Sequence, residues 1–336
     1  MLFLILAPLC TRAQTVGVVL SGGGANGLAH VGVLRALEEN NIPIDYITGT
    51  SIGALVGGLY ASGYSLDSLE NLFTSEEFVH ITSGQIEERY QYLFKDAETD
   101  ASWISINFTK DTIWKIALPT NVVSPVSMDF KIMSLLAPPI AAADYDFDRL
   151  MIPFRCLASD IESKQEVVFD RGDLGEAIRA SMSYPFYIQP ISINGKVMFD
   201  GGLYNNFPAD VMQAEFDPDV IIGSNVAANE APPREDDLLS QIKNMLVSKT
   251  DYSIPSDTGL IIEPEVITGV FGFRRAKQVM QGGYDAAIAR MDEIKSIVGA
   301  RRKREVVDAK RAIFQERLLP LSFHNIHMQG VNKGQS

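Results

Sequence analysis

Residues 47–54 read ITGTSIGA, a stretch that places Ser51 between Gly49 and Gly53. The apolar run from Ile44 to Thr48 predicts a strand before it, and the small residues from Ile52 to Ala61 predict a helix after it. A sharp turn from strand to helix strains the serine backbone and leaves room only for glycine on either side. The pattern is that of a nucleophile elbow, which holds the serine hydroxyl at a helix N-terminus, where negative charge is favoured.

A glycine-rich loop lies upstream of the elbow. It follows a predicted strand from Val16 to Leu20 and precedes a predicted helix with apolar residues at helical spacing. Residues 21–27 read SGGGANG and include Gly22, Gly23, Gly24 and Gly27. Successive glycines allow several backbone N–H groups to turn toward one point and bind an anion. Beside a nucleophile elbow, such a loop predicts an oxyanion hole.

The same glycines also match the G-x-G-x-x-G fingerprint of dinucleotide-binding proteins. Asp45 follows the loop at a distance near that of the ribose-binding carboxylate in this fingerprint. A cofactor site gives no reason for an elbow after the next strand, whereas an oxyanion hole does. Nucleotide binding is therefore the weaker alternative.

The third motif is Asp200-Gly201-Gly202, which closes a predicted apolar strand far downstream. Taken alone, Asp-Gly-Gly is typical of a turn. Together with the elbow, it makes the Asp200 carboxylate a candidate partner for the Ser51 hydroxyl.

The chain contains four histidines that could complete a Ser-His-Asp triad. His30 follows the glycine loop and is expected to be a packed residue. His80 is expected to lie in a mobile stretch, and His324 and His327 are expected to lie in a C-terminal tail outside the core. We therefore predict a Ser51–Asp200 dyad in which Asp200 is the general base. Because a free aspartate has a pKa of about 3.9, this base requires a desolvated carboxyl group or strong oxyanion donors.

The chain resembles the patatin-like phospholipases in the order of these motifs. Three further motifs lie between the elbow and Asp200: residues 158–160 (ASD), 167–172 (VVFDRG) and 177–181 (AIRAS). The resemblance runs from about Val16 to Asn225 and implies a three-layer α/β/α domain with a mainly parallel central sheet. The alternation of predicted strands and helices along the chain also favours an α/β fold. One of these predicted helices runs from Ser127 to Leu136.

The resemblance implies a serine acyl hydrolase of the phospholipase A or lysophospholipase type, acting on a phospholipid or another lipid ester at a membrane surface. Ser51 is then the nucleophile and Asp200 the proton acceptor. The implied oxyanion donors are the backbone N–H groups of Gly22, Gly23, Gly24 and Ile52. The motif glycines that support them are Gly27, Gly49, Gly53, Gly201 and Gly202. Many family members carry a basic residue where this chain has Asn26.

No cofactor and no metal are expected, because the histidines are scattered and show no metal-ligand spacing. Calcium-independent activity is the corresponding prediction. A non-catalytic lipid-binding or export module that keeps the fold is a further alternative to the enzyme.

The ends of the chain suggest export. Residues 1–14 change from apolar to polar as in a secretory signal peptide, although a basic n-region is missing and a buried first strand is the alternative. Residues 15–298 are predicted to form the patatin-like domain and residues 299–320 a basic helix. Residues 321–336 resemble the start of a POTRA-type module ahead of an outer-membrane barrel, with a frayed terminus as an equal alternative. The predicted location is the periplasm or the outer membrane.

The net charge of −13 argues against nucleic-acid binding. The basic run from Arg301 to Arg304, with Lys310 and Arg311 further along the chain, is expected to be a solvated helix face, with lipid contact as the alternative. Cys156 is expected to be a buried core residue rather than half of a disulfide.

Residues 104–118 alternate in polarity around a turn and contain Trp114, and the other tryptophan, Trp103, lies directly before them. They predict a hairpin that either covers the cleft or forms a satellite cluster.

Overall fold

The computed structural model describes residues 14–83, 105–107, 115–117, 121–256, 258–265 and 272–319. The strands in these residues are β1 (Val16–Leu20), β2 (Tyr46–Thr50), β3 (Ser105–Asn107), β4 (Lys115–Ala117), β5 (Asn121–Val123), β6 (Phe154–Asp160), β7 (Gln165–Phe169), β8 (Phe186–Ile188), β9 (Ile191–Ile193), β10 (Lys196–Asp200), β11 (Val220–Ser224) and β12 (Gly259–Ile262).

The α-helices of the same residues are α1 (Ala29–Glu39), α2 (Ile52–Ala61), α3 (Leu66–Thr74), α4 (Glu76–Ser83), α5 (Val126–Ala142), α6 (Leu174–Ser181), α7 (Ala209–Phe216), α8 (Leu238–Leu246), α9 (Ala276–Ala289), α10 (Met291–Ile297) and α11 (Arg304–Gln315). Short 3₁₀ turns cover the glycine loop at Gly24–Leu28 and the segment after Asp200 at Gly201–Leu203.

The central sheet has the strand order β12-β11-β1-β2-β6-β10-β9, with β7 also paired to β6. The pairings from β12 through β6 are parallel, whereas β7, β9 and β10 join in antiparallel fashion. Strands β1 and β11 are buried along their whole length, as expected for parallel strands covered on both faces. The predicted mainly parallel sheet is confirmed.

Helices cover both faces of the sheet. The larger core contains α1 and α2 together with α9 on one face, and the smaller core packs α7 on the other face against Val19 and Ile221. The domain therefore has the predicted α/β/α layers. Within the described part of the chain, none of the helices has the length and hydropathy needed to cross a bilayer.

Helix α9 packs closely on α1 through two glycines. A Cβ atom on Gly32 would lie 1.8 Å from the carbonyl oxygen of Met280, and one on Gly283 would lie 2.0 Å from that of Ala29. The two backbones therefore touch where no side chain fits. Helix α9, which follows the last strand of the sheet along the chain, therefore belongs to the same hydrophobic core as the sheet.

Helix α11 also contacts the domain, in contrast to the expected solvated basic face. Arg311 is 6% exposed and donates a hydrogen bond of 3.2 Å to Glu38, which also accepts the Tyr60 hydroxyl at 2.7 Å. Phe314 on the same helix is buried. The stripe of α11 that carries both residues therefore faces the protein, and Arg311 is used within the fold.

Several elements match their predicted bounds, and others differ. Strand β1 and helix α2 coincide with the prediction, whereas α5 continues through Pro138 and Pro139 to Ala142 instead of ending at Leu136. The predicted hairpin is present as the antiparallel pair β3–β4. Trp103, Trp114 and the hairpin turn lie outside the described residues, as do the predicted signal segment up to residue 13 and the POTRA-like tail.

Candidate active site

Strand β6 brings the elbow and Asp200 together. Thr50 at the end of β2 is paired with Leu157, and Asp200 at the end of β10 is paired with the next residue, Ala158. Strand β7 occupies the opposite edge of β6 over the same stretch, so β2 and β10 share one edge. Because β2 runs parallel to β6 and β10 antiparallel, their carboxyl ends face each other. Ser51, which follows Thr50, therefore meets Asp200.

Ser51 is held by a strained turn between β2 and α2. Its φ of 55° and ψ of −123° lie in a region that residues other than glycine rarely adopt, at a cost of about 1–3 kcal/mol. A Cβ atom on Gly49 would lie 2.6 Å from the backbone of Gly53, and one on Gly53 would lie 2.4 Å from the carbonyl oxygen of Leu20. Both glycines are needed because backbone packs directly on backbone. The predicted elbow geometry is present.

The Ser51 Oγ atom donates a hydrogen bond of 2.7 Å to Oδ2 of Asp200. Asp200 is 4% exposed, and the second oxygen of its carboxylate accepts a hydrogen bond from the N–H of Gly202 at 2.8 Å. Burial raises the pKa of Asp200 to about 6, while the two hydrogen bonds oppose the rise. Asp200 is therefore a stronger base than a free aspartate and is still mostly ionised above neutral pH.

The C-terminal end of α6 supports both residues. Ser181 Oγ accepts the backbone N–H of Ser51 at 2.8 Å, and the carbonyl of Ser183 accepts the N–H of Asp200 at 3.0 Å. Arg179 is buried, forms an ion pair with Asp129 and donates to Ser183 Oγ at 2.7 Å. Sequence reasoning recognised residues 177–181 as a motif but gave them no role. The available signal was an arginine among the apolar residues Ala177, Ile178 and Ala180.

One of the predicted oxyanion donors in the glycine loop, the N–H of Gly22, already has another hydrogen-bond partner. The N–H of Gly22 donates to the carbonyl of Asn206 at 3.1 Å, so this group is already paired. Gly23 and Gly24 line the cavity beside Ser51, as does Ile52. The Ile52 N–H, at the first position of α2, has no acceptor within the helix. The candidate donors are thereby reduced to Gly23, Gly24 and Ile52.

Asn206 connects the glycine loop to the segment after Asp200. Besides accepting the Gly22 N–H, it donates its backbone N–H to Thr250 and its side-chain amide to the Tyr252 hydroxyl, at 3.1 and 3.0 Å. A Cβ atom on Gly22 would lie 2.2 Å from its Oδ1 atom. Sequence reasoning missed this residue, because nothing local distinguishes one asparagine in a loop.

His30 is packed behind the glycine loop, as predicted. One ring nitrogen hydrogen-bonds to the carbonyl of Ser21 at 2.9 Å and the other to Ser224 Oγ at 2.8 Å. Burial lowers the pKa of His30 to about 4, against the opposing effect of the Ser21 contact. The neutral ring therefore donates to the carbonyl and accepts from the hydroxyl, which leaves it no free nitrogen for catalysis.

A cavity of about 280 Å³ opens over Ser51 and Asp200. One group of its lining residues is apolar and comes from α4, α5, β8 and a further 3₁₀ turn at Phe273–Arg275: Phe78, Met128, Ile188 and Phe273. A second group is polar and comes from the segments after β11: Asn229, Glu230, Lys243, Thr250 and Tyr252. The cavity can thus bind a molecule with an apolar part and a polar part.

A family model described as patatin-like phospholipase matches residues 18–212. The match covers more than half of the 336 residues and includes the elbow, the glycine loop and Asp200. The chain belongs to the patatin-like phospholipase family. The prediction of a patatin-like domain, from a family of lipid ester hydrolases, is confirmed.

Relatives of this patatin-like domain occur within much longer proteins. A patatin-like phospholipase domain-containing protein of Caenorhabditis elegans is 34% identical over 207 residues, which are 60% of this chain and 13% of that protein. A lysophospholipase of Saccharomyces cerevisiae is 31% identical over 206 residues, 60% of this chain and 10% of that protein. The chain thus spans about a tenth of the length of these curated relatives.

Two bacterial proteins of known structure are also similar. VipD of Legionella pneumophila has a TM-score of 0.45 and 13% identity, with 84% of this chain and 67% of that chain covered. ExoU of Pseudomonas aeruginosa, in complex with SpcU, has a TM-score of 0.38 and 16% identity, with 91% and 61% covered. The narrower prediction, a secreted bacterial protein with a POTRA-type module and a barrel, stays a prediction.

The patatin-like fold places Asp45 away from the glycine loop. Its carboxylate accepts the N–H of Val16 at 2.9 Å and pairs with Arg302 at 2.6 Å. Val16 begins β1, whereas the glycine loop follows the other end of that strand. Asp45 is therefore at the wrong end of β1 to contact a ribose bound at the loop, and the dinucleotide fingerprint lacks its carboxylate.

Metal ligands were not predicted for this patatin-like domain. Within the described ranges, no three His, Cys, Asp or Glu side chains are grouped so as to hold an ion. Both oxygens of the Asp200 carboxylate accept hydrogen bonds from the protein. The site as described supplies a nucleophile, a base and backbone donors.

Proposed function

We propose that this chain is a serine acyl hydrolase that cleaves lipid esters, of phospholipase A or lysophospholipase type, through a Ser51–Asp200 dyad. The observation that carries the proposal is the 2.7 Å hydrogen bond from Ser51 Oγ to the carboxylate of Asp200, a residue that is 4% exposed. Nucleophile and base within hydrogen-bond reach are the signature of covalent acyl transfer. The family and the yeast lysophospholipase relative support a lipid ester as substrate.

In the first half-reaction, Ser51 Oγ attacks the ester carbonyl carbon while Asp200 takes the hydroxyl proton. The N–H groups of Gly23, Gly24 and Ile52 stabilise the oxyanion, and such stabilisation commonly contributes more to the rate than any other single effect. Collapse of the intermediate breaks the ester C–O bond, and the Asp200 proton passes to the leaving alcohol oxygen. The products are an acyl-serine and a free alcohol.

In the second half-reaction, Asp200 removes a proton from water, and the resulting hydroxide attacks the acyl-serine. The tetrahedral intermediate expels Ser51, which regains a proton as the fatty acid leaves. A base with a pKa of about 6 suits both steps, because general-base catalysis is most efficient when the pKa lies near the working pH.

The apolar lining of the cavity is the proposed acyl site. Phe78 and Phe273 meet edge to face with their ring centroids 5.6 Å apart, and Met128 and Ile188 complete the same lining. Burial of one methylene group stabilises a bound chain by about 0.8 kcal/mol. A fatty acyl chain can therefore supply much of the binding free energy here.

The test is hydrolysis of a medium-chain aryl ester and of a mixed-acyl phosphatidylcholine by wild type, Ser51→Ala and Asp200→Asn. We expect Ser51→Ala to lower kcat by at least about 10⁴-fold and Asp200→Asn by about 10²–10⁴-fold, with circular dichroism unchanged. Product analysis of the phosphatidylcholine reaction gives the position cleaved. A folded wild type that cleaves neither ester would favour a non-catalytic lipid-binding or export module.

Export and attachment to a barrel are separate proposals. They are supported by the composition of residues 1–14 and 321–336. Fractionation of the native host, with activity in the periplasm or outer membrane, is the expected result. A stop codon directly after Ser336 would contradict the attachment to a barrel, and activity confined to the cytoplasm would contradict export.

A further inference from the structure

Lys243 stands out on the polar side of the cavity that holds Ser51 and Asp200. Among the described residues that line this cavity, it is the one cationic side chain. Its Nζ atom lies 3.5 Å from Oε1 of Glu230, which lines the same cavity, and the Tyr184 hydroxyl is a further partner. A positive and a negative charge are thus held side by side at the catalytic cavity.

Two tethers fix this charge pair relative to the dyad. Ser248, just after α8, donates its N–H to the carbonyl of Leu203 at 2.7 Å, close behind Gly202. Asn244 on α8 donates its side-chain amide to the carbonyl of Ala231, next to Glu230, at 3.0 Å. Both members of the pair are therefore anchored to the segment that positions Asp200.

Lys243 and Glu230 are exposed enough for the charged groups of a ligand to replace their contact with each other. The Lys243 and Glu230 side chains are 34% and 43% exposed, and their separation of 3.5 Å is long for an ion pair. Pairs of this kind contribute little stability, so their separation costs little. Burial disfavours the ammonium charge, but Tyr184 and Glu230 outweigh it and hold the pKa of Lys243 above its usual range. Lys243 is therefore a cation at working pH.

Building on the proposed function, we propose that Lys243 and Glu230 form a headgroup subsite for a zwitterionic phospholipid. Lys243 binds the phosphate, and Glu230 binds the ammonium group that follows it. The order of charges along such a headgroup, phosphate nearer the glycerol and ammonium at the tip, fits two opposite charges side by side. The Tyr184 and Tyr252 rings on the same lining offer aromatic surface to a quaternary ammonium group.

The subsite also bears on Asn26. This position lines the cavity on the glycine-loop side and is not basic. A cation for the substrate phosphate is supplied instead by α8, which lies beyond residue 212, where the family match ends. Headgroup preference is therefore assigned to the segment after β11, separate from the catalytic motifs.

The test compares three esters of one short acyl chain, each kept below its critical micelle concentration: lysophosphatidylcholine, lysophosphatidic acid and monoacylglycerol. For Lys243→Met we expect KM to rise about tenfold, or ~1.4 kcal/mol, on the two phosphate esters, with kcat and the monoacylglycerol reaction unchanged. For Glu230→Gln we expect the loss on lysophosphatidylcholine alone. Lys249→Met is the matched control, because Lys249 is exposed and lines a different cavity; its kinetics should equal wild type.

A binding measurement separates this proposal from the catalytic one. An uncleavable ether analogue of the lysophosphatidylcholine is titrated against wild type and Lys243→Met, with an expected tenfold loss of affinity. This result is expected even if no ester is turned over. Equal affinity, or equal KM changes on all three esters, would overturn the subsite while leaving the Ser51–Asp200 proposal intact.

Discussion

Ser51 is held by the backbone that surrounds it, whereas Asp200 is held by burial and hydrogen bonds. The Ser51 side depends on a φ of 55° and on glycines whose absent side chains let backbone meet backbone. The Asp200 side depends on the Ser51 hydroxyl, the Gly202 N–H and removal from water. The first arrangement fixes the position of the nucleophile, and the second sets the pKa of the base.

The difference implies that the two sides respond differently to mutation. A change near Ser51 that adds a single carbon atom should break the fold locally, because the backbone has no room to adjust. A change at Asp200 that keeps its shape should leave the fold intact and remove the base. The strained Ser51 backbone is thus the free-energy cost of positioning the nucleophile, and desolvation of the Asp200 carboxylate is the cost of raising the pKa of the base.

The largest effect is expected for Gly53→Ala. The new Cβ atom would lie 2.4 Å from the carbonyl oxygen of Leu20, and backbone atoms cannot move away as a flexible side chain can. We expect the free energy of unfolding to fall by about 3 kcal/mol or more, measured by urea denaturation. Gly299→Ala is the control, because its nearest neighbour atom would be 3.6 Å away. Equal stability of both variants would show that the elbow is not tightly packed.

The next effect concerns Asp200→Asn and its dependence on pH. In the folded protein the carboxyl has a pKa of about 6, above the value of 3.8 for an exposed group. Its protonated form therefore stabilises the fold fully below about pH 4, and this stability is lost as the pH rises through about 6. Two units correspond to about 3 kcal/mol. Asparagine cannot ionise, so the Asp200→Asn variant does not lose this stability as the pH rises.

Urea denaturation of wild type and Asp200→Asn at about pH 4 and about pH 8 checks this expectation. The variant should gain about 3 kcal/mol relative to wild type between the two pH values. The same variant should be nearly inactive, so stability and activity change in opposite directions. A difference that stays constant with pH would mean that the carboxyl is not desolvated in the folded state.

Ser181→Ala tests the link between the two sides, with a smaller effect. Its hydroxyl accepts the Ser51 N–H at 2.8 Å, and the alanine variant leaves that donor without a partner at a cost of about 1–3 kcal/mol. Ser181→Thr, which keeps the hydroxyl, should recover part of the stability. Stability unaffected by Ser181→Ala would show that the elbow needs no help from α6.

Chelation is expected to have the smallest effect. Both oxygens of the Asp200 carboxylate already accept hydrogen bonds from Ser51 and Gly202. We therefore expect hydrolysis to be unchanged by EDTA and by added calcium. A loss of activity on chelation, restored by calcium, would show that an ion takes part.

The arrangement around Ser51 could be predicted almost completely from the local sequence. The elbow, the glycines and the bounds of β1 and α2 follow from contiguous residues, because the turn and the strained backbone impose residue types within a few positions. The Asp200 side needed more information. Asp-Gly-Gly alone is more typical of a turn, and Asp200 could be predicted as the base only in combination with the other motifs.

Other parts of the site depend on contacts between distant segments and could not be predicted. Pairing of the Gly22 N–H with Asn206, the support from Ser181 and the pairing of Lys243 on α8 with Glu230 arise only when remote segments pack together. The continuation of α5 through Pro138 and Pro139 is a similar case. Tertiary contacts there outweigh the low helix propensity of proline.

The most direct test of the central claim is the rate at which a fluorophosphonate labels the protein, measured against pH. Our account predicts one label, located by peptide mapping on Ser51. The rate should rise with pH through about 6 in wild type, as Asp200 ionises, and should be at least about 100-fold lower in Asp200→Asn. Label on another residue, or equal rates in the two proteins, would contradict the Ser51–Asp200 dyad.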